Sequence, residues 1–173
     1  MRRTLALASA ALAAACLLLP VHAQQRPSTG WQAWTWEGNC FAVNYASGSS
    51  LPGGTSERAY IAIKHVPKEN TFDGVAIVSG LDMPSGAEGL LEVNGQEFPL
   101  LVFGNAGFVR SGEPEQQLVE AMAKASEAKV VWTLKDRMET QTYRMEGFQT
   151  AKKTIDTACP RPAAPAKAEP AKR

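Results

Sequence analysis

The sequence predicts a mainly β, antiparallel domain with one long helix and one short C-terminal helix. Most short apolar runs alternate apolar and polar residues at every second position, which is the period of a strand. Clusters rich in Gly, Pro, Ser and Asn separate these runs, and only two stretches have a helical period. Because helices are missing between most strands, a parallel α/β sheet is excluded and an antiparallel sandwich or barrel is favoured.

The first residues have the pattern of a secretory signal peptide. Arg2 and Arg3 precede an uncharged run of mostly Ala and Leu over residues 5–19, and a small-residue cleavage site ends at Ala23. The run is shorter than the roughly 20 residues that a membrane-spanning helix needs. We therefore expect residues 1–23 to be removed and the mature chain to be periplasmic or secreted.

A lipoprotein signal is the alternative for this N-terminus, because three alanines precede Cys16. Three leucines follow Cys16, where polar residues are usual after a lipidated cysteine, so signal-peptide cleavage is the favoured interpretation.

Two cysteines remain in the mature chain, Cys40 and Cys159. Export places them in an oxidising compartment, and two cysteines allow one intramolecular pairing. The alternative is a pair of free or redox-active thiols, which the missing C-x-x-C spacing disfavours. A Cys40–Cys159 disulfide would close almost the whole domain and, in the chain-entropy model, stabilise it by about 4–5 kcal/mol.

The strands are predicted in order along the chain from their period of two. Asn94-Gly95 between apolar runs indicates a hairpin, since both residues tolerate positive φ. Residues 47–56 and 80–89 are predicted to be loops because they are rich in Gly, Ser and Pro. The predicted strands cover residues 31–36, 40–46, 58–66, 74–79, 90–93, 96–103, 108–110, 129–135 and 140–146.

The long helix is predicted over residues 114–127, where Pro114 suits the first turn and acidic residues favour the positive end of the helix dipole. Thr150 is predicted to cap the short helix over residues 150–158, with Ile155 facing inward.

Four segments follow from these predictions. The signal peptide is followed by a flexible lead over residues 24–30, by one domain over residues 31–159 and by a tail over residues 160–173. The tail consists mainly of Pro, Ala and Lys and is predicted to be disordered or extended, because it cannot bury enough apolar surface to offset the entropy of ordering.

Charge is distributed unevenly along the mature chain. Residues 30–159 contain 11 Lys and Arg against 16 Asp and Glu, and residues 160–173 contain 4 against 1. An acidic domain is a poor nucleic-acid partner, because neutralising phosphates needs a basic face. The basic tail could contact anionic lipid or glycan, with a solvated tail as the alternative.

No catalytic, cofactor-binding or metal-binding motif is recognisable in the mature sequence. His65 is its one histidine, so a two-histidine metal site is excluded, and no nucleophile motif accompanies it. We expect His65 to be a surface or hydrogen-bonded structural residue, and no cofactor is predicted.

The tryptophans are the strongest binding candidates. Trp34 and Trp36 lie on one face of the first predicted strand, and Trp31 lies on the other. Exposed aromatic side chains on a β domain can stack on sugar rings or anchor a protein partner. The alternative is a structural role, in which the tryptophans belong to the core or cover an edge.

Several stretches in a fixed order resemble one known family. Two of them read Asn39-Cys40-Phe41-Ala42 and Ile155-Asp156-Thr157-Ala158-Cys159, and the others lie at residues 59–67, 91–98, 101–105, 118–122 and 142–148. In these stretches the chain resembles the invasion-associated locus B family of Gram-negative envelope proteins, over most of the mature chain. It departs from the family pattern at Val66, at residues 104–108 and before Thr142.

The resemblance implies an exported, immunoglobulin-like β-sandwich linked to the cell envelope, and in host-associated members a link to host-cell invasion. It brings no catalytic residues. We therefore expect a non-enzymatic binding protein whose partner is an envelope or host protein. The alternatives are a structural envelope protein that contacts peptidoglycan or lipid and, more remotely, an enzyme centred on His65.

Overall fold

The computed structural model describes residues 30–49 and 59–162. The predicted signal peptide, most of the predicted lead and the tail beyond Pro162 lie outside the described residues. Within them the chain is mainly antiparallel β, which confirms that part of the prediction.

Ten strands and two α-helices follow one another along the described chain, with a 3₁₀ turn, Pro67–Glu69, between β4 and β5. They are β1 Gln32–Trp36, β2 Asn39–Tyr45, β3 Gly48–Ser49, β4 Tyr60–Val66, β5 Thr71–Val78, β6 Glu88–Val93, β7 Gln96–Phe103, β8 Ala106–Phe108, α1 Glu113–Met122, β9 Glu127–Thr133, β10 Met138–Arg144 and α2 Phe148–Ala158.

The strands form one continuous sheet in the order β1-β2-β4-β5-β8-β7-β6-β9-β10-β3. Strand β7 pairs with β6 through its first half and with β8 through its second half, so the sheet turns a corner there. The chain of β2 continues into β3, which pairs with β10, and Ser47 N–H donates to the Thr142 carbonyl at 2.8 Å. The sheet therefore curls until its two ends meet at β2 and β3, and β1 stays outside this closure as an edge strand.

The core lies inside the curl, where alternate residues of both halves meet. A buried polar cluster joins the halves: Trp132 Nε1 and Tyr143 Oη both donate to Gln141 Oε1, at 2.9 and 3.0 Å. The Gln141 amide in turn donates to the Ser79 carbonyl at 2.5 Å. Because each of these buried groups has a partner, the cluster avoids the cost of unpaired polar atoms.

Helix α1 packs against β5, β6 and β7 at one end of the curl. Glu115 Oε1 accepts a hydrogen bond of 2.9 Å from Val75 N–H, on a part of β5 that has no partner residue in β8. The helix thus satisfies a backbone group that the sheet leaves open.

Helix α2 packs on β1, β2 and β4 through buried residues that include Phe148 and Ile155. The Phe148 ring meets Trp31 edge to face, with centroids 4.8 Å apart. Trp31 faces away from Trp34 and Trp36, so α2 lies on the inner side of the first strands.

The predicted Cys40–Cys159 disulfide is present, with the Cα atoms 6.0 Å apart. It joins β2 to the residue after α2 and closes a loop of 119 residues. The inward position predicted for Ile155 is also confirmed.

Some sequence predictions are not confirmed. Helix α1 ends at Met122 rather than at residue 127, because the chain tightens into i+3 hydrogen bonds and β9 begins at Glu127. Helix α2, at 11 residues, is slightly longer than α1, at 10 residues, and it starts after Gly147, so Thr150 lies inside it and is not its cap. A single curled sheet leaves the immunoglobulin-like sandwich unconfirmed.

The loop predicted over residues 47–56 contains strand β3 at its start, and its remainder lies outside the described residues. A two-residue strand gives no periodic signal, so the sequence could not predict it.

Candidate functional site

An apolar groove of about 450 Å³ lies on the outer face of the sheet. Four adjacent strands supply its lining, and most of the side chains are large and aromatic. We call this surface the aromatic groove, and its lining consists of Trp34, Trp36, Phe41, Val43, Tyr45, Tyr60, Ala62, Lys64 and Ala76.

Strand registry brings these side chains to one face. Trp34 pairs with Phe41, which pairs with Lys64, and Tyr45 pairs with Tyr60. Residues directly opposite each other in neighbouring strands point to the same side of a sheet. The intervening residues point into the core, where Ile61 and Ile63 are fully buried.

The rings of the groove are arranged in pairs. Trp34 and Phe41 stack with centroids 6.0 Å apart, and Tyr45 meets Tyr60 edge to face at 5.9 Å. Trp34 is nevertheless 43% exposed and Trp36 is 61% exposed. Pairing fixes the orientation of the rings while leaving large apolar surface open to a ligand.

The apolar face continues beyond the groove across β5, β8 and β7. Ala76 pairs with Phe108, which pairs with Leu101, and Ala106 pairs with Phe103. Leu101 and Phe103 are both exposed. An antiparallel sheet that faces water normally carries polar residues at such positions, so this face is unusual for a solvated surface.

Contiguous exposed apolar surfaces are typical of sites of interaction with another molecule. Within the described ranges, both α-helices pack elsewhere, α2 on the inner side of the first strands and α1 at one end of the curl. Among the residues that the structure describes, Lys64 is the one charged side chain that lines the groove. Sugar recognition relies on several hydrogen-bonding side chains around the ring, so this lining suits an apolar or aromatic surface better than a glycan.

The predicted interaction residues Trp34 and Trp36 both line the groove. The structure adds Tyr45 and Tyr60, which the sequence analysis did not single out. Their signal was present, since each occupies a period-two position in its predicted strand, but the pairing of β2 with β4 was needed to bring them beside the tryptophans.

The other two tryptophans are structural. Trp132 is completely buried in the core, and Trp31 packs against Phe148. The alternative of a structural role therefore applies to Trp132 and Trp31, whereas Trp34 and Trp36 are exposed on the outer face of the edge strand β1.

A second cluster surrounds His65, which is buried at 2% exposure. Its Nδ1 lies 3.0 Å from the Cys159 carbonyl oxygen, and its Nε2 lies 3.0 Å from Asp73 Oδ1. Both ring nitrogens are thus engaged in joining β4 to β5 and to the end of α2. This agrees with the hydrogen-bonded structural role predicted for His65.

Asp73 is the centre of this cluster. Lys152 Nζ lies 2.8 Å from Asp73 Oδ1, and Arg161 donates to Asp73 Oδ2 at 2.9 Å. Burial pushes the pKa of the Asp73 carboxyl upward, but the hydrogen bonds and charges of His65 and Lys152 outweigh it. The pKa of Asp73 therefore lies well below its usual range, and the carboxylate stays ionised.

His65, Asp73 and Asp156 could in principle offer ligand atoms to a metal ion, since these atoms lie within 4.8 Å of one another. The ammonium group of Lys152 contacts both carboxylates, at 2.8 Å from Asp73 and 2.5 Å from Asp156. The cluster therefore already contains the positive charge that a cation would bring, and it fits an ion-pair network rather than a metal site.

A further open hollow of about 610 Å³ lies between the end of α1 and the start of α2. It is lined by backbone and by mixed side chains, without a cysteine or histidine. Unlike the aromatic groove, it is not lined by a set of large aromatic side chains on one face of the sheet.

No helix in residues 30–49 or 59–162 is long and apolar enough to cross a membrane. The chain matched no protein-family model, no curated protein and no solved structure in three comparisons with known proteins.

Proposed function

We propose that this protein is an exported, non-enzymatic binding protein of the cell envelope that uses the aromatic groove to hold a partner protein. The observation that carries the proposal is the outward position of Trp34 and Trp36 on a sheet face that is almost entirely apolar. Tryptophan and tyrosine are the residues most often found at the energetic centre of protein interfaces.

The size and shape of the groove support a protein partner. Its side chains come from rigid, paired strands, so little conformational entropy is lost when a partner binds. The apolar face is several strands wide, which suits an extended protein surface better than a small molecule. The partner would be another envelope protein or, if the family resemblance extends to activity, a host protein.

The compartment is part of the same proposal. The Cys40–Cys159 disulfide is what an oxidising compartment outside the cytoplasm permits, and the signal-peptide pattern supplies the route there. The immunoglobulin-like sandwich implied by the resemblance would also suit an envelope binding module.

The test is crosslinking in cells, followed by capture of the mature protein from the envelope fraction and mass spectrometry. We expect a recurrent protein partner that is lost when Trp34→Ala and Trp36→Ala are combined. Met138→Ala is the matched control, because Met138 is also an exposed apolar residue, at 66%, and lies at the end of β10 away from the residues that pair with β3.

Circular dichroism and thermal unfolding must show that both variants fold. A folded double variant that still captures the same partner contradicts the proposal.

A structural envelope protein is the second candidate, and the basic residues of the tail favour it. In that case, a chain that ends after Pro162 would lose its association with sacculi or anionic vesicles, while Trp34→Ala would keep it. The binding-protein proposal expects the truncated chain to keep its association with the envelope and Trp34→Ala to weaken it.

A further inference from the structure

We propose that two copies of this chain pair in antiparallel orientation through the open edges of their β1 strands and form a symmetric dimer centred on Trp34. The inference goes beyond the proposed function and does not depend on it, because the pairing uses the backbone edge of β1, whereas partner capture uses the outer face of the sheet. Three observations carry it: an unprotected edge, the direction of its backbone groups, and the side chains that the pairing brings together.

Strand β1 is an open edge of the sheet. It stands first in the strand order, and among the described residues only β2 pairs with it. Its five residues, Gln32–Trp36, include no proline and no charged residue, and its register with β2 runs without a shift. Proline, charge, bulges and short length are the features that keep an edge strand from pairing with another chain. The opposite edge strand, β3, is only two residues long, so β1 is the edge to which another strand can be added.

The β1–β2 hairpin determines which backbone groups face the open edge. Its two-residue turn, Glu37-Gly38, has positive φ at both positions, as a type I′ turn requires. A turn of this length is closed by a hydrogen-bonded pair, which Trp36 forms with β2, and such pairs alternate along an antiparallel ladder. Trp34 and Trp36 therefore direct their N–H and C=O groups toward β2. The N–H and C=O groups of Ala33 and Thr35 point away from β2, to the open edge.

Antiparallel pairing of two copies satisfies these outward-facing groups. When the Trp34 residues of the two copies lie opposite each other, Ala33 of each copy lies opposite Thr35 of the other. Both are then hydrogen-bonded pairs, in which each residue donates its N–H and accepts at its C=O. A two-fold axis through the Trp34 pair relates the copies, and two-fold dimers are the commonest soluble oligomers. The edge of β1 is therefore complementary to itself.

The pairing also joins the apolar faces of the two copies. Trp34 would lie in a non-hydrogen-bonded pair, where the side chains of neighbouring strands are closest. The two Trp34 side chains, each 43% exposed in a single copy, would cover each other across the axis. Because Trp34 lines the aromatic groove, the grooves of the two copies would become one continuous surface. Helix α2 does not cover this end of the edge, since Thr35 faces the inner side and is still exposed.

The test is sedimentation velocity of the purified mature chain, residues 24–173, over a range of concentrations. We expect a monomer–dimer equilibrium that Thr35→Pro abolishes, because proline removes an N–H that the second copy needs and β2 does not use. Proline is tolerated on an edge strand where the N–H faces solvent. Thr35→Val is the matched control, since it keeps the N–H and should keep the dimer. Circular dichroism must show that both variants fold.

Amide hydrogen exchange tests the same pairing in the unmodified protein, whether or not the proline variant folds. We expect the Thr35 amide to exchange slowly at concentrations where the dimer forms and quickly after dilution. The Trp34 amide should stay protected in both cases, because it donates to β2. An exchange rate of Thr35 that does not change with concentration would overturn the proposal.

Cysteine crosslinking tests the register. Trp34→Cys should form a disulfide between copies under mild oxidation, because Cβ atoms of directly opposite residues lie about 5 Å apart. Trp36→Cys is the control on the same face. Its two copies would be offset by four residues along the strands, or about 14 Å, and should not crosslink. Crosslinking of Trp36→Cys but not of Trp34→Cys would overturn the pairing centred on Trp34.

A monomer at every concentration, or a dimer that persists in folded Thr35→Pro, would overturn this inference while leaving the proposed function intact. A dimer that Thr35→Pro abolishes, in a protein whose partner capture does not depend on Trp34 and Trp36, would leave the dimer standing while the proposed function fails. If both hold, monomeric Thr35→Pro should still capture the partner, because its tryptophans remain on the outer face.

Discussion

At the scale of single residues, the largest side chain of the core depends on two glycines. A Cβ atom added at Gly107 would lie 2.8 Å from Trp132 Cη2, and one added at Gly89 would lie 2.7 Å from Trp132 Cζ3. The six-membered ring of the indole therefore lies close to the backbone of β6 and β8, where both sheet halves meet. Trp132 and Gln141 can form their buried hydrogen bond because the glycines leave this space.

This packing gives a direct prediction for Gly107→Ala. The added methyl group would force Trp132 to shift, and overpacking of this kind costs about 1–3 kcal/mol. Chemical denaturation should show that loss of unfolding free energy, together with a change in near-ultraviolet circular dichroism. Gly104→Ala is the control for steric crowding, because a Cβ added there meets nothing within 4 Å. Its φ of +56° adds some backbone strain to that variant. Equal stability of Gly107→Ala and the original protein would contradict the packing described here.

At the scale of elements, Asp73 fastens α2 and the start of the tail to the sheet. Its carboxylate contacts His65 on β4, Lys152 on α2 and Arg161 beyond α2. A helix of 11 residues is marginal by itself in water, so these contacts and its buried apolar face hold it in place.

Asp73→Asn should therefore lower the unfolding free energy at pH 7 by roughly 1.5–3 kcal/mol, the range for hydrogen bonds to charged groups. The pKa of Asp73 is lower in the folded than in the unfolded state, so the stabilisation is complete above the ordinary value of 3.8 and is lost as the pH falls through the lower, folded value. The difference between Asp73→Asn and the original protein should shrink below about pH 4. Denaturant titrations of both proteins at a series of pH values measure this difference in unfolding free energy.

Asp136→Asn is the control for the change in charge, because Asp136 is an exposed residue with a single long ion pair. If Asp73→Asn and Asp136→Asn lower the unfolding free energy equally, the contacts of Asp73 do not stabilise the packing of α2 on the sheet.

At the scale of the whole molecule, the Cys40–Cys159 disulfide closes almost the complete domain. It brings β2, near the start of the described chain, next to the end of α2, and the Cys159 carbonyl also contacts His65. Closing so long a loop restricts the unfolded chain strongly.

Replacing both cysteines by alanine in the mature chain should lower the unfolding free energy by about 2–5 kcal/mol. Reductant should lower the melting temperature of the original protein and leave that of the double variant unchanged. A melting temperature that is insensitive to reductant in both proteins would contradict the stabilising role of the disulfide.

Local pattern was enough to determine the β class, most strand positions, the disulfide partners and the two faces of β1. Each of these depends on residue type and spacing within one segment, or on a count of two cysteines. The period of two also placed Trp34 and Trp36 on one face, opposite Trp31.

Tertiary structure decided what lies opposite each segment. The curl of the sheet, the short β3 and the end of α1 at Met122 depend on long-range strand pairing, which leaves little trace in local sequence. The same pairing brings Tyr45 and Tyr60 beside the tryptophans, and it joins His65 to Asp73 through the neighbouring strand. Local periodicity is enough to show which residues share a face of a strand, whereas the covered and open faces emerge only in the fold, because coverage depends on the elements that pack against each face.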